Sequence, residues 1–180
     1  MKTLVNKTFC VRPRHVAKSP LPTARMRRPI RLAKILVPID FSPCSQKALQ
    51  YAVPLARRFG ASITLLHVVE PIVYSMDYGY GPVSRQIPNE TMLKQTRTKL
   101  NSLGKKIAGS PHLAETIVRT GAVYFEIAEV ARAREIDLII LGTRGCGEVN
   151  HLVIGSTAEK VVRHAPCPIF VVRQKEHEFV

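Results

Sequence analysis

Two groups of residues in the last third of the chain have the types and spacing to bind an anion. Gly142-Thr-Arg-Gly145 directly follows an apolar run, and Gly155-Ser-Thr157 begins after nine further residues. Glycines let a backbone turn sharply and approach a ligand closely. If the second group opens a helix, its unpaired N–H groups and the helix dipole favour a phosphate. The hydroxyls of Ser156 and Thr157 can donate to phosphate oxygens, and Arg144 adds positive charge, so the two groups predict a phosphate-binding loop.

Several candidate site residues also have a purely structural interpretation. Ser156 and Glu159 have the S-x-x-E spacing of a helix capping box, in which case the glycines only turn the chain. Asp40 ends an apolar run just before a helix, so it is either a ligand contact or a turn residue. His67 lies within an apolar run, and we expect a packed, hydrogen-bonded residue there.

The elements that must position this loop alternate along the chain. Apolar runs predict strands over 34–40, 62–69, 116–119, 137–141 and 168–172. Apolar residues spaced three and four apart predict helices over 43–59, 90–108, 124–134 and 157–164. Ser42 and Gly60 are expected to cap the first helix. Residues 70–88, with two glycines and three prolines, predict a loop.

This order predicts an α/β fold. Strands that are apolar on both faces and joined by helices form a parallel sheet covered on both sides, and right-handed crossovers make it doubly wound. Ligands of such folds bind at the carboxyl ends of the strands, near the reversal of strand order. In this chain those ends are Asp40, Val68-Val69 and Leu141-Gly142.

The net charge of +14 is mostly a property of the N-terminal segment. Residues 1–31 contain nine of the 27 Lys and Arg residues and no acid, so the remainder has 18 basic against 13 acidic residues. We expect a basic, disordered extension over 1–31, a domain over 32–175 and a short tail over 176–180. A transit peptide and a true start at Met26 are the alternatives for the extension. A specific nucleic-acid partner is not expected, because the folded part lacks a large basic excess.

The cysteines and the hydropathy predict a cytoplasmic protein without a membrane partner. Cys10, Cys44, Cys146 and Cys167 form no CxxC pair, and scattered reduced thiols are typical of cytosolic proteins. No apolar run approaches the roughly 18–20 residues that a membrane span needs.

Three motifs together resemble the universal stress protein family. Gly-x-x-Gly, nine residues and Gly-Ser is the ATP-binding signature of that family, and this chain matches every position. The segments Ile35-Leu-Val-Pro-Ile-Asp-Phe-Ser42 and His164-Ala-Pro-Cys-Pro-Ile-Phe-Val-Val172 are similar to its first and last strands. The resemblance covers about residues 32–174 and implies a single five-stranded, Rossmann-like parallel sheet of order 3-2-1-4-5.

The resemblance also implies a division of ATP among residues of this chain. Asp40 would hold the ribose or a nucleotide-bound Mg²⁺, and the backbone of Val68 would contact adenine. Leu141 and Gly142 would contact the ribose and the phosphates from below. Pro38 is also counted among the site residues. The phosphates would be held by Arg144, Gly145, Gly155, Ser156 and Thr157.

We expect from these motifs an ATP-binding stress-response or regulatory protein without efficient turnover. The alternative is an ATP-using enzyme on the same fold, either a slow phosphohydrolase or an adenylating enzyme, and a third is an interaction module with a vestigial site. The chain has no Ser-Gly-Gly-x-Asp-Ser loop and no G-x-x-x-x-G-K-S/T loop. Pro168–Val172 is apolar and would lie at the sheet edge, so the resemblance implies a homodimer through that strand.

Overall fold

The fold is that of a computed structural model, which describes residues 31–77, 82–87, 90–107, 113–143, 154–174 and 177. For residues 72–77, 82–87, 113 and 114 it describes the backbone alone. The chain divides between Ile30 and Arg31, and the fold below belongs to the unit that follows. The expectation for residues 1–30 falls outside the described residues and stays a prediction.

Five strands form one parallel sheet, as predicted. In chain order they are β1 (Lys34–Pro38), β2 (Ser62–Val69), β5 (Leu113–Thr120), β6 (Leu138–Gly142) and β7 (Ile169–Val172). Their spatial order is β5-β2-β1-β6-β7, and all four neighbouring pairs are parallel. Counting these five strands alone, the order is 3-2-1-4-5, so the predicted topology is confirmed and the strand order reverses at β1.

Four helices connect the strands. They are α1 (Pro43–Phe59), α2 (Glu90–Ile107), α3 (Val123–Ala133) and α4 (Ser156–His164). Both predicted caps of α1 are present, since the Ser42 hydroxyl oxygen accepts the N–H of Ser45 at 3.2 Å and Gly60 ends the helix in the left-handed region at φ 67°.

The helices cover both faces of the sheet, so successive strand residues pack into different cores. Ile35 and Val37 of β1 pack with α1 and with Leu100 of α2. Leu36, between them, packs on the other face with residues of α3 and α4, including Ile127. All five side chains are essentially fully buried. The fold is therefore doubly wound, with β1 at its centre.

The predicted loop over 70–88 is wrong. Two six-residue strands, β3 (Ile72–Asp77) and β4 (Pro82–Ile87), pair antiparallel with Tyr74 opposite Arg85. The glycines and prolines that suggested a loop stand between and beside two runs of strand-forming residues, which is the composition of a hairpin.

Candidate functional site

A cavity of about 170 Å³ opens at the carboxyl ends of β1, β2 and β6, where the strand order reverses. Seven of the predicted site residues line it: Pro38, Asp40, Val68, Leu141, Gly142, Gly155 and Thr157. They come from three strand ends and from the start of α4. The topology thus brings together segments that are far apart in the sequence, at the position where ligands of doubly wound folds bind.

Three predicted site residues are not placed in the cavity. Ser156 is exposed and is not among the residues that line it. Arg144 and Gly145 lie outside the described residues.

Seven other residues line the cavity without having been singled out from the sequence. They are Ile39, Ser45, Leu66, Val123, Ile127, Thr143 and Ala158. Val123 and Ile127 belong to the first two turns of α3, which begins at the carboxyl edge of the sheet. The spacing of apolar residues in α3 indicated only a helix packed on a core. The sequence offered one signal for their position at the cavity, because a helix that follows a parallel strand starts at the carboxyl edge of the sheet.

The cavity lining combines apolar side chains with a few hydrogen-bonding ones. Ile39, Leu66, Val68, Val123, Ile127 and Leu141 supply the walls, and Asp40 is the one ionisable group among the described lining residues. The hydroxyl residues Ser45, Thr143 and Thr157 complete the polar part. This arrangement suits a ligand with a flat apolar portion and a hydrogen-bonding portion.

Asp40 lies in the turn between β1 and α1. The N–H of Ile39 still bonds the carbonyl of Leu66 at 2.7 Å, so β1 remains paired up to the residue before Asp40. The Asp40 carboxylate then accepts the N–H of Ser42 at 2.9 Å, as a turn residue does, while Asp40 also lines the cavity. Asp40 therefore acts as a turn residue and also lies at the cavity, and its contact with a ligand stays a prediction.

Gly142 lines the cavity, and packing against α1 also requires that it has no side chain. A Cβ at this position would lie 2.7 Å from both the carbonyl carbon and the Cβ of Cys44, and 2.9 Å from the Cys44 oxygen. Real Cβ atoms essentially never come that close. Gly142 therefore permits the first turn of α1 to pack against β6, and the expectation that its bareness also serves ligand approach stays a prediction.

The start of α4 excludes the capping-box alternative. Gly155 is the N-cap residue and Ser156 is already the first helical residue, so Ser156 and Glu159 are one position out of register for the motif. The Glu159 carboxylate instead accepts from Arg163 at 2.7 Å. Gly155 is buried, and its N–H bonds the carbonyl of Thr143 at 2.8 Å, which ties the start of α4 to the end of β6.

Two further reactive side chains among the described residues, those of His67 and Cys167, have structural environments. Nδ1 of half-buried His67 lies 2.6 Å from the Ile39 oxygen, as expected for a packed, hydrogen-bonded histidine. Burial, and secondarily the charge of Asp137, raises the pKa of the Cys167 thiol, which disfavours the reactive thiolate. Within the described ranges no three His, Cys, Asp or Glu residues form a metal site, and no helix is both long and apolar enough to cross a membrane.

The sheet order, the crevice at its centre and the glycine-capped helix start define a doubly wound α/β protein with a cavity at the switch point. The family model of the universal stress proteins matches residues 32–173, and the chain belongs to that family.

Individual relatives agree with this assignment. The chain is 33% identical to the universal stress protein YxiE of Bacillus subtilis over 148 residues, which cover 78% of this chain and 98% of YxiE. The structure of universal stress protein UspA from Lactobacillus plantarum superimposes with a TM-score of 0.67 at 29% identity, covering 81% of this chain and all of UspA. A universal stress protein from Archaeoglobus fulgidus, solved in complex with dAMP, has a TM-score of 0.56 at 20% identity, covering 79% of this chain and 99% of that one.

Proposed function

We propose that the cavity binds ATP. The observation that carries this proposal is the meeting of apolar walls with the glycine-capped start of α4 in one cavity at the switch point. The first N–H groups of a helix have no intrahelical partner, and the helix dipole favours an anion there. Nucleotide binding is further supported by the relative solved in complex with dAMP.

The lining suggests how the parts of the nucleotide are distributed. The side chains of Val68, Val123 and Ile127 offer apolar surface for the base, with the Val68 backbone available to its edge. Asp40 is suited to hydrogen-bond the ribose hydroxyls. The phosphates would lie against Gly155, Ser156 and Thr157 at the start of α4, with Arg144 and Gly145 contributing from the preceding loop.

The donor set is compatible with Mg²⁺ that arrives with the nucleotide. Magnesium is commonly held by one or two carboxylates together with substrate phosphates, and it retains several waters. Asp40 is the one carboxylate among the described lining residues, so it could contribute one ligand. Magnesium would supply charge neutralisation of the phosphates.

We further propose that binding is not followed by efficient turnover. Hydrolysis or adenylation needs a base or nucleophile beside the phosphates, oriented by a further group. Asp40 is the one candidate base among the described lining residues, and its carboxylate already accepts the Ser42 N–H. Phosphate release at the ~1–10³ per second of ordinary enzymes would favour the enzyme alternative.

The proposed assembly is a homodimer through β7. This strand is at the edge of the sheet and pairs with β6 on one side only within the described residues. Ile169, Phe170 and Val171 are half-buried within one chain, which leaves apolar surface at that edge. Unpaired edge groups favour pairing with a second chain, and identical chains favour a two-fold contact.

Taken together, the proposed role is that of a cytoplasmic stress-response regulator that reports adenine-nucleotide state. Native mass spectrometry of protein purified without added nucleotide tests binding and assembly in one experiment. We expect a dimer carrying up to one adenine nucleotide per chain. A species that stays free of nucleotide even after incubation with millimolar ATP would overturn the binding proposal, and a monomer would overturn the assembly.

A further inference from the structure

The turn that carries Asp40 contains an unusual backbone conformation. Phe41 has φ 65°, in the left-handed region that bulky side chains rarely adopt. Among the described residues, Glu135 is the one other non-glycine residue with positive φ, at 52°. It lies just before β6, at the amino-terminal edge of the sheet. Conformations of this kind persist only where the surroundings enforce them, and they concentrate at functional sites.

Side chains of α1 and of the neighbouring strand β2 contact this turn. From α1, Gln46 Nε2 donates to the Phe41 carbonyl at 3.2 Å. The Phe41 ring packs on the His67 ring, with centroids 5.1 Å apart and planes inclined by 33°. His67 also bonds the Ile39 carbonyl through Nδ1 at 2.6 Å. Because a carbonyl oxygen can only accept, Nδ1 carries the hydrogen and donates. One side chain of β2 therefore contacts the residues on both sides of Asp40.

From this arrangement we infer that His67 and Phe41 are positioning residues for Asp40 in nucleotide binding, an inference that rests on the proposed function. They fix the backbone at Ile39 and Phe41, and the Asp40 side chain between them lines the cavity. The Ser42 N–H then orients the carboxylate. Fixing a ligand-contacting group before binding avoids the entropic cost of ordering it on association.

A merely structural role makes a different prediction. The start of α1 is already defined by Ser42 and Pro43, so a left-handed Phe41 is not needed to begin that helix. If the Phe41 side chain matters for stability alone, replacing it with glycine leaves nucleotide affinity unchanged. If it positions Asp40, the same replacement weakens nucleotide binding while the fold is retained.

The substitution Phe41→Gly separates the two roles. Glycine adopts φ 65° without steric cost, so we expect the melting temperature to fall by at most a few degrees relative to the parent. We expect ATP affinity, measured by calorimetry, to fall at least about fivefold, within the range of coupling between residues in contact. Glu135→Gly is the matched control. It relieves the same kind of strain just before β6, at the opposite edge of the sheet, and should leave affinity within about twofold. The five residues of β1 alone span roughly 16 Å between the two edges.

The hydrogen bond is tested with a pair of His67 variants. His67→Asn keeps an N–H donor close to the position of Nδ1, whereas His67→Leu removes it. We expect His67→Leu to weaken ATP binding by about fivefold or more and His67→Asn to retain part of the affinity. Equal affinities of the two variants would contradict the role of the hydrogen bond.

A double-mutant cycle with Asp40 then tests the route of the effect. In the Asp40→Ala background, Phe41→Gly should change ATP affinity by less than about twofold, because the group it positions is gone. Two results would overturn the inference while the parent still binds ATP. One is an ATP affinity that Phe41→Gly leaves unchanged in the parent, and the other is a loss of about fivefold that Phe41→Gly also causes in the Asp40→Ala background. A parent that binds no ATP would overturn the proposed function itself, and the inference with it.

Discussion

Gly142 lies where β6 passes the first turn of α1, and its hydrogen is all that fits beside the Cys44 backbone. We predict that Gly142→Ala lowers the free energy of unfolding by about 1–3 kcal/mol, because the added methyl forces one of two packed elements to move. Chemical denaturation measures the change. Removing the Cys44 side chain with Cys44→Gly should not restore stability, since two of the three close atoms are backbone. A Gly142→Ala variant as stable as the parent would show that the two elements do not approach this closely.

Two serines near helix starts are expected to differ in what they do. The Ser42 hydroxyl oxygen accepts from Ser45 as the cap of α1, whereas Ser156 follows the cap of α4 and is exposed. Ser42→Ala should therefore cost about 1 kcal/mol of stability. Ser156→Ala should leave stability nearly unchanged and weaken ATP binding about tenfold or more, since a hydrogen bond to a charged group contributes roughly 1.5–3 kcal/mol.

Thermal unfolding and calorimetric titration of this Ser→Ala pair measure the two effects. An affinity unchanged in Ser156→Ala would remove its hydroxyl from the set of phosphate contacts. A loss of stability in Ser156→Ala equal to that in Ser42→Ala would instead indicate that Ser156 caps its helix.

At the scale of elements, strongly patterned segments were predictable and context-dependent ones were not. β2 and α1 have the predicted bounds because an uninterrupted apolar run and a cap at each end leave little choice. The hairpin of β3 and β4 was missed because its turn residues resemble those of a loop.

The site shows the same division between local and tertiary information. The strand ends and the start of α4 were predictable, because parallel topology directs them to one edge of the sheet. The contact between Gly142 and Cys44, and the cavity surface contributed by α3, depend on tertiary packing that local sequence does not encode.

The β7 edge carries a prediction about assembly. The carbonyls of Pro168 and Val172 bond β6, so by alternation along the strand the N–H and C=O of Val171 face the open edge. Val171→Pro removes that N–H without removing a bond to β6, and we expect it to convert the proposed dimer to a folded monomer. Val171→Thr, which keeps the N–H, is the control and should remain dimeric.

Light scattering at high micromolar concentration, with circular dichroism to monitor folding, distinguishes these states. A Val171→Pro protein that is folded and still dimeric would show that another surface forms the interface. A charged side chain at this position is a less suitable test, because Val171 also packs against the core between the sheet and α3 and α4.

For the molecule as a whole, nucleotide binding should stabilise the entire domain, because the cavity joins β1, β2, β6, α3 and α4. A ligand at 100 times its Kd adds about 2.7 kcal/mol to the free energy of unfolding. For a chain of this size that corresponds to a rise in melting temperature of about 5–10 °C. We predict this rise with ATP. Prolonged incubation should not diminish it, because turnover is expected to be negligible.

Differential scanning fluorimetry with ATP and with GTP, each in the presence of Mg²⁺, measures the effect. Phosphate release followed in parallel should remain far below about 1 per second. Rapid release that Asp40→Ala abolishes would favour the enzyme alternative over a binding protein.

The central claim is that the cavity beneath the start of α4 binds ATP, and calorimetric titration of the parent and of Gly155→Val tests it most directly. Gly155 has φ −61° and ψ 151°, a conformation that valine also adopts, so the variant should fold. Its branched side chain would occupy the place of the phosphates. We predict that the parent binds ATP well below millimolar concentration and that Gly155→Val, folded by circular dichroism, shows no binding. A parent without measurable binding at 1 mM, where the free energy is about −4 kcal/mol, or a folded variant that binds like the parent, would contradict the account.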